Sequence, residues 1–408
     1  MIVVDSTFNP LPSFFTRENC VVKKSEDSFD IIALNGLILN CDYDGLELIL
    51  KHPEEALEKY PELKDTLISR KEFPSSFDAS VNKNKIREGE RYDEKKVLKN
   101  AGKEKQLPAA ISLMHLELSV TKICPYRCVY CYREKEVEEN EQLTINDLSA
   151  AVKDAAELGA KSIVLTGGEP LCPASLQRTI KMAKLAKKEG FELVTVPTNG
   201  FFDEDTVEKI KDSVDSLAIK LDTYTPQKYE KMVGLKGSLA RVLDTIEYAS
   251  KRVPYVSANM TVMKDNLHDV EGTAKLAFSR GAARLKVTPL YPAGRARKMA
   301  LSMKELEILH KQLEKEKKEY GRRVFSPLLQ YNLRCSAGIS DACIFEDGII
   351  STCRYMHNTL PLGRIPDDGL GDVWKRNDFL MKLRYSGNMI DLCERKNVIS
   401  WAKKMCWL

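Results

Sequence analysis

The chain has 408 residues, 43% hydrophobic and 30% charged, the composition of a globular protein long enough for two or three domains and a sizeable buried core. Lysine plus arginine outnumber aspartate plus glutamate by only 63 to 59, and that net +4 is too weak to argue for nucleic acid, so no nucleic-acid partner is expected. No apolar run approaches a bilayer span and no signal peptide opens the chain. These features predict a cytoplasmic protein without a membrane partner, whose clustered cysteines are metal ligands or catalytic thiols rather than disulfides.

In chain order, residues 1–80 read as a small N-terminal α+β module. The stretch 29–40 alternates like a hairpin, and 44–73 reads as two short helices split at Pro53 and Pro61. Residues 81–109 are charged, of mixed sign and poor in apolar side chains, which predicts a solvated linker or surface helix. Over 110–322 six apolar strand candidates (115–120, 162–166, 192–198, 216–221, 255–262 and 283–290) alternate with amphipathic helical runs such as 145–160 and 173–190. That alternation predicts a parallel α/β sheet, as an open or closed barrel or a doubly wound sheet. In each arrangement the chemistry belongs to loops at the carboxyl ends of the strands. Residues 323–408 form a cysteine-bearing C-terminal extension with few long periodic runs.

Three of the 11 cysteines fall within eight positions, in "CPYRCVYC" from Cys124 to Cys131, just after the first of these strands. A tetrahedral zinc site needs four ligands, and no fourth cysteine or histidine lies near. Three thiolates on one loop suit an iron–sulfur cubane with one iron left open, a zinc knuckle or unrelated buried thiols being the alternatives. The motif resembles the signature of the radical S-adenosylmethionine (SAM) superfamily, with Tyr130 as its aromatic residue. The resemblance implies that Cys124, Cys128 and Cys131 hold a [4Fe–4S] cluster whose open iron chelates SAM. One electron then cleaves SAM to a 5′-deoxyadenosyl radical that abstracts hydrogen from substrate. It also implies a partial (β/α)₆ TIM-like barrel, the first of the two α/β options.

Three further stretches fall where that resemblance expects them. "TGGEP" (166–170) follows the second strand and resembles the motif for the SAM amino group. Gly167 and Gly168 would permit close backbone approach, and Glu169 would accept from the ammonium. Asn199 in "TNG" and Asp222 in "KLD" end the third and fourth strands and resemble contacts to the SAM ribose or carboxylate, a turn residue and a helix cap being the plainer alternatives. Tyr130 is expected to pack near the adenine. Arg295 or Arg297, after the sixth strand, would pair with a substrate carboxylate or lie on a solvated loop.

Cys335, Gly348 and Cys353 satisfy C-x₁₂-G-x₄-C, which resembles the opening of the auxiliary-cluster extension called SPASM, or its shorter Twitch form. The rest of the SPASM cysteine pattern is missing. The resemblance therefore implies one auxiliary iron–sulfur cluster, held by Cys335, Cys353 and two of Cys343, Cys393 and Cys406, or else an empty extension. Cys20, Cys41 and Cys172 read as ordinary buried thiols.

The family resemblance fixes the initiating chemistry and leaves the substrate open. The expectation is a maturase of a ribosomally made peptide, forming a crosslink, a thioether or an epimer, with the N-terminal module either adding the leader peptide to a sheet edge or serving as a plain structural cap on the barrel. A flavodoxin or ferredoxin would supply electrons. The alternatives are a small-molecule oxidase or dehydrogenase of the single-auxiliary-cluster type and a non-catalytic iron–sulfur electron carrier.

Overall fold

The computed structural model describes residues 113–132, 143–291, 296, 299–329, 337–338, 340–356, 360–377 and 380, together with four N-terminal strands. The helices expected over 44–73, the linker 81–109, Arg295, Arg297, Cys335, Cys393 and Cys406 lie outside the described residues.

The N-terminal strands β1 (Phe14–Arg17), β2 (Cys20–Lys24), β3 (Phe29–Ala33) and β4 (Ile38–Cys41) form an antiparallel meander in that order. The hairpin expected over 29–40 is the β3–β4 pair, with Ile31 opposite Leu39.

Six strands then run parallel and adjacent in sequence order: β5 (His115–Thr121), β6 (Ser162–Gly167), β7 (Leu193–Thr198), β8 (Ser216–Lys220), β9 (Tyr255–Val262) and β10 (Arg284–Pro289). Between them lie α1 (Ile145–Glu157), α2 (Leu176–Lys188), α3 (Glu204–Ile210), α4 (Pro226–Val233), α5 (Ser238–Ala249) and α6 (Val270–Ser279). This is the α/β architecture of a partial TIM-like barrel, and the doubly wound alternative is set aside. Strand residues alternate between its two faces. Leu116, Leu118 and Val120 join Leu148, Val152 and Ile180 in the core between sheet and helices, while Glu117 and Ser119 face the concave side. The same alternation turns Lys220 and Lys286 inward between the core residues Ile219 and Leu221, and Leu285 and Val287.

The helix expected from Pro173 begins at Leu176. Residues 169–175 are already organised as turns, with Leu171 N donating to Glu169 Oε1 at 3.0 Å and Ser175 N to the Cys172 carbonyl at 2.9 Å. Cys172 is buried, as expected of a structural thiol. Helix α7 (Met303–Tyr320) follows β10, and β11 (Val324–Phe325) extends the sheet beside it.

The extension returns to the other side of the sheet. β12 (Asp341–Ile344) pairs parallel with β5, β13 (Ile349–Ser351) pairs antiparallel with β12, and β14 (Gly363–Arg364) closes that edge. Helix α8 (Leu370–Arg376) follows, burying Trp374. Among the described residues this sheet has ten strands, with β11 and β14 at its two edges.

Candidate active site

The loop after β5 carries Cys124, Cys128 and Cys131, all free and half-buried. Two main-chain bonds of 3.0 Å lace it to the end of α4, from Arg127 N to the Val233 carbonyl and from Val129 N to the Met232 carbonyl. Burial is the largest influence on the thiols, pushing Cys124 up to about 12 and Cys128 up to about 11. At neutral pH both keep their protons until a cation replaces them. Among the described residues, no group of three or more His, Cys, Asp or Glu converges as a single-ion site would require. What the loop offers is three separate soft donors spread along eight residues, the donor set of a multi-iron cluster.

The glycines of 166–170 have a reason the sequence did not reveal. A Cβ on Gly167, whose φ is +123°, would stand 2.1 Å from the Thr121 carbonyl oxygen, and one on Gly168 would stand 2.2 Å from that of Ile123. Gly168 N donates to Thr121 O and Glu169 N to Ile123 O, both at 2.7 Å. The two glycines thus let this segment lie directly against the start of the cysteine loop.

Glu169 is buried and bridges strand ends. Its carboxylate accepts from Thr198 Oγ1 and Asn199 N, both at 2.6 Å, and from Leu171 N. Burial nevertheless pushes it up to about 7, those three donors pulling the other way. Asn199 turns its Oδ1 to Phe201 N at 2.8 Å, and its buried Nδ2 has no hydrogen-bond partner among the described residues. A buried donor left over beside a carboxylate suits a polar ligand with both an acceptor and an ammonium.

Tyr130 and Asp222, expected as separate contacts to the cofactor, meet each other: the buried Tyr130 hydroxyl donates to Asp222 Oδ2. The Tyr130 ring packs with Met232, Met263 and Leu290. Asp222 also accepts from Thr261 N at 2.8 Å and pairs with Lys220 at 3.2 Å. Desolvation raises the Tyr130 hydroxyl well above its usual value, reinforced by the Asp222 charge.

On the hairpin side, Cys343 and Cys353 are buried. Cys343 stands in register with Glu117, and Arg354 pairs with Glu117 at 2.7 Å. The rings of Tyr132, beside Cys131, and Tyr291 both contact Tyr355, at 5.7 and 4.0 Å between centroids. Sequence reasoning did not single out Thr198, Lys220, Glu117 or Arg354. For Glu117 and Lys220 the available clue was a charge at an inward position of an otherwise apolar strand.

Fold and site together define an open (β/α)₆ barrel whose first strand launches a three-cysteine loop packed against a glycine–glycine–glutamate turn. Residues 118–277 match the profile of the Radical SAM superfamily, and the barrel belongs to that superfamily, whose enzymes use a [4Fe–4S] cluster and SAM. The chain is similar to curated proteins described as a probable GTP 3′,8-cyclase. That of Metallosphaera sedula is 26% identical over 263 residues, 60% of this chain and 81% of the relative. That of Thermococcus kodakarensis is 28% identical over 253 residues, 60% and 78% respectively. Among solved structures, Streptococcus suis SuiB bound to precursor peptide SuiA superposes with a TM-score of 0.57 at 14% identity, over 91% of this chain and 90% of that one. anSMEcpe with bound AdoMet and the Cp18Cys peptide gives 0.54 at 17% identity, over 72% and 88%. These likenesses establish the fold. No helix among the described residues is long and apolar enough to cross a membrane.

Proposed function

We propose that this radical SAM enzyme matures a ribosomally made peptide. Cys124, Cys128 and Cys131 would hold the cluster, which when bound would supply the electron for SAM cleavage, and Glu169 with Asn199 would bind the polar end of SAM. The observation that carries the peptide reading is the N-terminal antiparallel sheet, whose outer strands β1 and β4 each have an unpaired edge within that sheet. Such an edge captures an extended peptide through main-chain hydrogen bonds, independently of most of its side chains. The test is fluorescence polarisation of the full chain with short peptides encoded beside its gene. A leader binds, and Leu39→Pro, on edge strand β4, weakens it. Failure of every neighbouring peptide to bind refutes the leader role.

One observation favours a second reading. The sequence relatives are described as probable GTP 3′,8-cyclases, which makes a nucleoside triphosphate the second candidate substrate. GTP binding by the anaerobic protein, with no peptide binding, would select it. A small-molecule oxidase or dehydrogenase needs the auxiliary cluster as second electron acceptor, which the extension would hold through Cys335, Cys353 and two of Cys343, Cys393 and Cys406. Iron content after removal of Cys124, Cys128 and Cys131 bears on that directly.

A further inference from the structure

Besides the glycine–glutamate turn, the cysteine loop meets a second set of fixed charges. Lys220, the last residue of β8, places its ammonium 3.2 Å from Asp222 Oδ2 and 4.4 Å from the centroid of the Tyr130 ring. Tyr130 is the residue between Val129 and Cys131, and Cys128 packs on the same buried group of side chains. The carboxylate is immobilised from three directions, by the Tyr130 hydroxyl, Thr261 N and Lys220. Its side chain is wholly buried and that of Lys220 is 22% exposed. A cation and an anion therefore stand at fixed positions beside the Cys128–Cys131 half of the loop. Of the two, the ammonium is the one seated over the face of the Tyr130 ring, whose next residue along the chain is Cys131.

A cluster on three thiolates becomes more negative when it takes an electron. A fixed cation stabilises the reduced form more than the oxidised one, and the effect grows where water is excluded. We propose that Lys220 is a positioning residue that raises the reduction potential of the cluster on Cys124, Cys128 and Cys131, held in place by Asp222 and the face of Tyr130. The proposal rests on the cluster assignment above and is independent of which substrate the enzyme takes.

The experiment is an anaerobic redox titration of the reconstituted full chain without SAM, followed by electron paramagnetic resonance. The Cys124/Cys128/Cys131→Ala variant supplies the background of any second cluster and tests the cluster assignment separately. At a set potential, Lys220→Met is expected to lower the ratio of reduced to oxidised cluster about tenfold, which for one electron is 59 mV. Lys220→Arg keeps the charge and stays near wild type, and Asp222→Asn shifts the potential the opposite way. Equal potentials in wild type and Lys220→Met overturn the proposal. So does a shift seen only when SAM is added, which would make Lys220 a cofactor contact. A shift of the same sign in Lys220→Met and Asp222→Asn also overturns it, because lost packing has no sign. If Lys220→Met fails to retain iron, Lys220→Arg and Asp222→Asn decide: an unmoved potential in Asp222→Asn is then the refuting result.

Discussion

Gly168→Ala tests whether the glutamate turn is seated on the cysteine loop as described. The added methyl would stand 2.2 Å from the Ile123 carbonyl oxygen, 0.8 Å inside the 3.0 Å limit that real Cβ atoms respect. The obstacle is backbone and cannot rotate away. Either the turn or the loop must move, and with it go two 2.7 Å main-chain bonds, Gly168 N to Thr121 O and Glu169 N to Ile123 O. At about 1 kcal/mol net for each hydrogen bond the loss is about 2 kcal/mol. For a barrel of this size that lowers Tm by roughly 4–8 °C. Because Ile123 adjoins Cys124, the variant is also expected to bind less iron after anaerobic reconstitution. The assay pairs a thermal melt with iron and sulfide analysis. Wild-type Tm together with wild-type iron would show that the turn does not rest on the loop.

Further outcomes follow from the same site. Glu169 is pushed up to about 7 by burial, so the folded chain holds a proton there that the unfolded chain has released by about 4.5. The ligand-free fold therefore loses stability as pH rises between those values. SAM, binding through its ammonium, needs the ionised form, so its affinity rises between pH 6 and 7.5. Glu169→Gln removes that dependence, and a flat calorimetric profile in wild type would refute the contact. Asn199→Ala discards the unpartnered Nδ2 and one bond from Phe201 N. It is expected to weaken SAM about tenfold with little change in the ligand-free melt, the magnitude of one well-made hydrogen bond. Arg354→Met strips the guanidinium from Glu117, which is 1% exposed, and is expected to cost about 3 kcal/mol. Replacing both by Gln and Met should recover much of that loss in chemical denaturation. The Cys124/Cys128/Cys131→Ala variant should lose one cubane of iron, and any iron it retains belongs to the C-terminal extension.

What could be read without coordinates was whatever the chain states locally. The strands β5–β10 stood out because strands buried on both faces are short apolar runs, and their observed bounds lie within one or two residues of those expected. The cysteine loop stood out because ligand spacing within eight residues is itself the signal. Contacts between distant segments were not legible. Tyr130 and Asp222 are 92 residues apart and nothing in either neighbourhood names the other. Gly167 and Gly168 looked like room for a ligand, whereas the carbonyl oxygens of Thr121 and Ile123 already occupy that room. Lys220 stands inside "KLD", and nothing in its sequence neighbourhood says what it faces. Only the inward turn of the strand places it beside the cysteines.

The return of β12 to β5 has a consequence for how the protein is made. β5 gains β6 as a neighbour within about 40 residues of its own end, but its other edge stays bare until Asp341–Ile344 emerge, about 220 residues after Thr121. At about 5–20 residues per second, the edge beside the cysteine loop waits roughly 11–44 s on the ribosome. During that interval the strand can pair with another chain, and the thiols it launches stand beside an unfinished wall. The nascent protein is therefore most vulnerable at its future site of chemistry, and a handoff of iron and sulfide during those seconds would meet a more open loop than the finished fold presents.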